Sequence, residues 1–336
     1  MATAGDTRAG EARHGCRSGL TLDRLPVKHR APTTNDEDPR GRAAAGRDSR
    51  AHVLPWIAYG VCAVVWGSTY FAIAVALESF PPYGMVAVRF GLASVLALAV
   101  GRLLREPFPS ARELPHLALV GVLLLGVCNA LIVWSETLVS SGVAAVLAAL
   151  TPAWFGVLTA KSEPLGARGW TGTGLGLAGV VLLVGPGADA GIDLGGVGAI
   201  LLATALWAVG TLHHRKHVRS GGALTNAGLE MLAAGLLGGG VAPFFGGYVR
   251  GEVTTKALVA IAYLVVFGSV LAYTAHTYLS KAWNPVRAGT YAYLNPVIAV
   301  LLGSAFLREL FNVRMAVGMA VILAGVALVQ YRSRTG

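Results

Sequence analysis

From residue 53 to residue 331 the sequence is a succession of apolar runs of roughly 20 residues, joined by stretches of about a dozen residues at most. A bilayer core takes about 20 helical residues to cross, and nothing inside it satisfies a backbone polar group that the protein leaves open. The runs are continuous and rich in Leu, Ala, Val and Gly, whereas transmembrane strands would alternate over about ten residues. The fold class expected is therefore an all-α integral membrane protein. Composition agrees, with 54% of residues hydrophobic and 13% charged, about half the charged share of a soluble chain.

Ten transmembrane helices are expected, at roughly 54–77, 83–101, 115–135, 142–161, 169–185, 195–213, 225–245, 257–279, 286–307 and 314–331. The net charge of +10 falls largely beside these spans and is explained by a positive-inside bias, so no nucleic-acid partner is expected. With the N-terminus in the cytoplasm, the inner loops and C-terminus hold Arg102, Arg105, Arg112, Lys161, Arg168, Arg215, Lys216, Arg219, Lys281, Arg287, Arg332 and Arg334. The outer loops hold only Arg250, Lys256, Arg308 and Arg314. Both termini are thus expected in the cytoplasm. Residues 1–52 carry 10 Lys/Arg and 7 Asp/Glu with almost no apolar periodicity, the composition of a disordered basic tail. A signal peptide does not fit, because the first apolar run begins only at Val53; a mis-assigned start site is the alternative.

The apolar region reads as two copies of one unit, 53–186 and 194–331. Thr151-Pro152 recurs as Asn295-Pro296, 144 residues on; Val65-Trp66-Gly67 recurs as Leu206-Trp207-Ala208, and Leu177-Ala178-Gly179-Val180 as Leu323-Ala324-Gly325-Val326. Five spans per copy is an odd number, so the second copy lies upside down relative to the first. That is the inverted-repeat plan of many secondary transporters. Pro152 and Pro296 each remove a backbone donor and are read as matched helix breaks beside a cavity.

Charges inside spans default to functional candidates. Arg89 with Glu136 is expected as an outer gate ion pair, and Glu230 with Lys281 as the inner one. Interfacial charges that never meet are the alternative. The residues expected to line a substrate cavity are Trp66, Asn129, Glu136, Thr151, Trp207, Tyr273, His276, Tyr291 and Asn295. Rings with a polar edge suit an amphipathic or cationic organic solute. His276 suits a proton relay, or else a hydrogen-bonded structural role. Trp56, Trp170 and Trp283 fit an interfacial aromatic belt.

Other patterns carry no chemistry. Gly174 to Gly179 fits G-x-G-x-x-G but lies inside a span with no preceding strand. Gly172, Gly176, Gly179, Gly318 and Gly325 instead suggest close packing of span 5 on span 10, or of two copies in a homodimer. His213, His214 and His217 sit in a loop where positive residues are expected, and no metal is assigned to them. Cys16, Cys62 and Cys128 form neither a disulfide framework nor a metal set. No Walker A sequence is present, so ATP is not the direct energy source, and no cofactor is expected.

Trp66-Gly67-Ser68, Val88-Arg89-Phe90, Glu136 with Val139 to Ala145, and Thr151-Pro152 resemble the drug/metabolite transporter superfamily, EamA type. Tyr291 to Gly303, Glu309 and Leu323 to Val326 resemble its second repeat. The resemblance covers about residues 55–330. It implies a ten-helix inner-membrane carrier of bacterial type, exporting drugs, amino acids or other metabolites, with a cavity built mainly from spans 3, 4, 8 and 9. Among the candidates it favours Asn129, Glu136, Thr151, Tyr273, Tyr291 and Asn295. The shortened segment between Pro152 and Glu163, with Lys161 before the acid, departs from that pattern. The function expected is secondary active export of a small organic solute by alternating access, through proton antiport or exchange; a passive facilitator or importer is the nearest alternative. An integral membrane transferase acting on lipids would need a polar loop to host paired carboxylates or a phosphate clamp. The loops are too short for that, and no enzyme activity is expected.

Overall fold

The computed structural model of the chain describes residues 39–139, 144, 147–184, 193–306 and 313–330. The chain divides into two units, Met1–Arg47 and Asp48–Gly336. All regular structure among the described residues is helical. The helices are α1 (Pro39–Leu77), α2 (Pro82–Leu103), α3 (Leu114–Ser135), α4 (Thr151–Leu158), α5 (Ala167–Val184), α6 (Leu194–His217) and α7 (Ala223–Val241). They continue with α8 (Thr255–Ala282), α9 (Pro285–Gly289), α10 (Tyr291–Phe306) and α11 (Val313–Gln330).

Six stretches are long and apolar enough to cross a bilayer: Val53–Leu77, Pro82–Leu103, Leu114–Ser135, Leu194–His217, Ala223–Phe244 and Thr255–Ala282. The protein is a multi-pass membrane protein. The four other spans expected from the sequence coincide with the shorter helices α4, α5, α9 with α10, and α11. Residues 140–143, 145–146, 185–192 and 307–312, which include Ser140 to Val143 and Glu309, lie outside the described residues. So do residues 1–38 of the stretch read as a tail, whose last part is helical from Pro39.

Helix starts follow local chemistry. Pro82 opens α2, where a missing N–H costs nothing. The Asp193 carboxylate accepts from Gly196 N to start α6, and the Thr254 hydroxyl accepts from Ala257 N to start α8. The first N–H groups of α7 are met from a distance: Glu106, after α2, accepts from Thr225 N at 2.8 Å and Thr225 Oγ1 at 3.0 Å. Glu113, before α3, accepts from Ser220 Oγ and from the N–H groups of Arg219 and Ser220. The Ser220 contact above all holds the Glu113 carboxyl below its usual range. This clasp is therefore present above the ordinary carboxylate range and lost as pH falls through the lowered value.

Two of the long helices change pitch midway. Gly121–Cys128 in α3 and Leu264–Leu271 in α8 are π-helical, each 8 residues long, and 143 positions separate them at either end. Contacts between the halves match in the same way. The α2–α7 and α5–α11 pairings are the most extensive among the described residues, and each joins helices at equivalent places in the two halves. Cys62 Sγ approaches Ala272 O at 3.6 Å, and Cys128 Sγ approaches Ala203 O at 3.2 Å. Ala203 stands 141 residues after Cys62 and Ala272 stands 144 after Cys128, the offsets at which the sequence repeats.

The two prolines require correction. Pro152 lies in the first turn of α4, after a turn at Ala149-Leu150, so it opens a helix instead of interrupting one. Pro296 lies inside α10, and the interruption in that part of the chain falls at Thr290, between α9 and α10.

The glycines expected to pack span 5 on span 10 do so. A Cβ on Gly172 would stand 2.9 Å from Gly325 O, one on Gly179 2.9 Å from Gly318 O, and one on Gly325 2.5 Å from Gly176 N. Gly325→Val should therefore pry α5 from α11 and lower stability by about 1–3 kcal/mol, read as a drop in thermal midpoint in detergent. Gly174→Ala, whose added methyl meets nothing within 4 Å, should leave the midpoint where it was.

Candidate functional site

The π segments face a common cavity of about 110 Å³, room for roughly 7–11 water molecules at ~10–15 Å³ each on that measure. It is lined from α1 (Trp66, Thr69, Tyr70, Ile73), α2 (Arg89, Phe90), α3 (Leu125, Cys128, Asn129, Ile132), Ala148 and Thr151, α6 (Thr204, Trp207), α8 (Gly268, Ser269, Tyr273) and α10 (Tyr291, Ala292, Asn295). Helices α1, α2 and α6 thus contribute beyond the four spans that the family resemblance favoured.

Two side chains of the cavity wall donate to carbonyls of the π segments. Asn129 Nδ2 donates to Leu124 O at 2.9 Å. Trp66 Nε1 donates to Gly268 O at 2.9 Å. These anchors fix the guanidinium of Arg89, which is 5% exposed. Its Nε donates to Ser269 Oγ at 2.9 Å and its Nη1 to Asn129 Oδ1 at 3.5 Å. No carboxylate pairs with Arg89 among the described residues. An uncompensated cation thus stands in the wall of a small, mostly apolar cavity.

The aromatic wall is equally fixed. Trp66 and Trp207, at matching positions of the two halves, meet edge to face with centroids 5.3 Å apart. Tyr291 packs on Trp66 at 5.2 Å. With its amide N turned toward them, Asn295 donates to Tyr291 O and Ala63 O, 3.2 Å each, tying α10 to α1.

Seven of the nine residues expected in the cavity line it: Trp66, Asn129, Thr151, Trp207, Tyr273, Tyr291 and Asn295. Glu136 and His276 do not. His276 lies behind the wall, its Nε2 3.2 Å from Thr211 Oγ1 and its Nδ1 3.3 Å from the Tyr291 hydroxyl. Both nitrogens are occupied, as in a structural histidine. Glu136 follows the end of α3, with Oε1 buried and unpartnered; the ion pair expected with Arg89 does not form in this structure. Arg89 itself belongs to the cavity, which the sequence alone did not assign.

The pair expected between Glu230 and Lys281 is likewise replaced. Lys281 is exposed, while His214 Nδ1 lies 2.9 Å from Glu230 Oε1, both side chains being almost wholly buried. The approach has ion-pair distance without hydrogen-bond alignment, and among the described residues no hydrogen bond of good geometry reaches either carboxylate oxygen. The signal missed in the sequence was His214, hidden among the basic residues that end α6. Tyr273 joins this pair to the cavity: its ring lines the cavity, and its hydroxyl lies within electrostatic reach of Glu230.

A polar network closes the basic end of the bundle. Arg215 Nη1 meets Glu163 Oε1 at 2.8 Å, and Asn284 Nδ2 donates to Glu163 Oε2 at 2.6 Å. Arg287 Nε donates to Gln330 Oε1 at 2.5 Å and its guanidinium stacks on Trp283 at 3.9 Å. Gln330 Nε2 donates to Thr290 Oγ1 at 3.0 Å, and Thr290 meets the Tyr59 hydroxyl at 3.1 Å.

The sequence profile described as the EamA-like transporter family matches the chain twice, over residues 54–185 and 194–331. The chain is 36% identical over 279 residues to the uncharacterized inner membrane transporter YedA of Escherichia coli strain K12, covering 79% of this chain and 87% of the relative. It is 28% identical to the probable terminal-alkyne amino-acid exporter of Streptantibioticus cattleyicolor, covering 80% and 91%, and 28% identical to protein PecM of Dickeya dadantii, covering 81% and 90%. A solved crystal structure shares the fold with a TM-score of 0.68 at 20% identity, over 84% of this chain and 96% of the other.

The geometry predicts that small carboxylates quench the fluorescence of Trp66 and Trp207 in purified protein. Arg89→Gln should weaken that binding at least about tenfold, ~1.4 kcal/mol, at unchanged thermal midpoint. Arg89→Lys should recover little, since an ammonium cannot reproduce the fork held by Ser269 and Asn129. Equal affinity in all three proteins would make Arg89 a structural residue.

Proposed function

The chain belongs to the EamA-like transporter family of the drug/metabolite transporter superfamily, and on that premise we propose that it is a secondary active carrier exporting a small organic solute that bears a carboxylate. The observation that carries this reading is Arg89. A guanidinium with no carboxylate partner among the described residues is costly in a low-dielectric wall, and a carboxylate on the cargo relieves that cost through charge-assisted, bidentate bonds. The cationic cargo that the aromatic residues suggested is disfavoured for the same reason. An amino acid or a metabolite of similar size suits the cavity volume, and the name of the Streptantibioticus relative points to the same class.

Alternating access is supported by the reciprocal contacts between the halves, namely the matched π segments, the Trp66–Trp207 pair and the two Cys–carbonyl approaches. They fit ten crossings arranged as two inverted repeats about an axis near the tryptophan pair. The positive-inside bias puts the basic end in the cytoplasm. On that orientation the Arg215–Glu163–Asn284 and Arg287–Gln330–Thr290–Tyr59 contacts are the inner gate. Glu230 with His214 is the site of proton coupling. It is a buried ionisable pair next to the cavity, and intramembrane pairs of that kind mark ion pathways.

Transport into inverted membrane vesicles tests the whole reading. Gradient-driven accumulation of an amino acid or a related carboxylate, but not of cationic dyes, is expected. Glu230→Gln should abolish accumulation while leaving counterflow exchange, because the charge that follows the proton gradient is gone but the cavity is intact. Accumulation of dyes in place of carboxylates would overturn the cargo assignment, and an accumulating Glu230→Gln protein would overturn the coupling site. Glu163→Ala, which removes both inner partners, should raise cytoplasmic-side labelling of a cysteine placed at Thr151 at least about threefold, the signature of a gate that costs less to open.

A further inference from the structure

His213 and His217 lie four residues apart on α6 and so face the same way. The sequence offers them no third partner. The fold does: His116, in the first turn of α3, stacks on His217 with ring centroids 4.7 Å apart and lies 5.1 Å from the ring of His213. One ligating nitrogen from each of the three lies within 4.8 Å of the others, and all three residues are partly buried.

We propose that His116, His213 and His217 bind a divalent transition-metal ion, zinc being the best matched. Three details of the geometry support a built site. His116 Nδ1 and His213 Nε2 face each other at 3.1 Å, close to the ~3.3 Å edge of a tetrahedron with Zn–N bonds of about 2.0–2.1 Å. One of those nitrogens must carry a proton when no metal is present, and the metal takes that proton's place. His217 Nδ1 meets the His213 carbonyl at 3.1 Å, which fixes the tautomer and leaves Nε2 unprotonated and free to ligate, the arrangement that supports metal-bound histidines. Three imidazoles with no carboxylate select zinc and its neighbours over magnesium or calcium. Partial exposure leaves an entry path and a fourth position for water.

Lys216 and Arg219, both exposed, weaken the site electrostatically, so a modest affinity is expected. When occupied, the metal ties α3 of the first half to α6 of the second at the end of the bundle where the Arg215–Glu163 contact also lies.

The test uses full-length protein in detergent, stripped of metal and titrated with Zn²⁺ by calorimetry and with Co²⁺ by visible absorption. One equivalent of Zn²⁺ should bind, with an intense tetrahedral Co²⁺ spectrum. His116→Gln and His217→Gln should each weaken the site at least about tenfold. A His14→Gln/His29→Gln/His52→Gln variant, altered only in the N-terminal segment, should bind like the parent. Zn²⁺ should also raise the thermal midpoint of the parent and not that of His217→Gln. Binding that survives the His116 and His217 changes, or disappears with the N-terminal ones, overturns the proposal.

Discussion

In a bilayer every backbone carbonyl must find a donor within the protein, and the site is built around two carbonyls of π segments to which side chains of the cavity wall donate. The π segments lie in the middle of α3 and α8, two of the helices that flank the cavity. Asn129 and Trp66 donate to the carbonyls at Leu124 and Gly268. Asn129 then offers its oxygen to Arg89, and Ser269, inside the second π segment, accepts from the same guanidinium. The irregularity in the backbone and the position of the charge are thus one feature, because hydrocarbon tolerates neither alone.

Close approach of helices supports this arrangement from outside. A Cβ on Gly121 would stand 2.1 Å from Glu230 O, and one on Gly235 2.8 Å from Gly91 N. Helix α7 therefore lies directly against the first π segment and against α2, which carries Arg89. The same closeness buries Glu230 and brings it to His214. Where lipid tails are as apolar as the side chains, packing between small residues is the main force that holds helices together. Glycine in this chain is accordingly a contact residue more than a flexible one, with Gly221 at φ +83° an exception set by the turn before α7.

The polar residues sort by depth. Arg89, Glu230 and His214 are buried within the bundle. Arg215, Glu163, Asn284, Arg287 and Gln330 form a partly exposed belt across the basic end, where water competes and each contact contributes little. Such contacts break at small cost, whereas the buried groups hold their places.

By itself the sequence determined that the chain is a helical membrane protein with a doubled plan. Run length, the scarcity of charge and the 141- to 146-residue recurrences are linear quantities, readable without a fold. Seven of the residues it named for the cavity line it, because aromatic and amide residues are conspicuous in apolar runs. Pairing could not be read in the same way. Arg89 was matched to Glu136, and Glu230 to Lys281, on their positions along helices; which residue of a neighbouring helix faces a charge depends on how those helices rotate and cross. The π segments carry no sequence pattern of their own, and they turn Asn129 and Ser269 toward Arg89. Pro152 and Pro296 looked equivalent in the sequence, yet tertiary packing let one open a helix and held the other inside a helix. His116 lies 97 residues before His213, and only the fold brings their rings together.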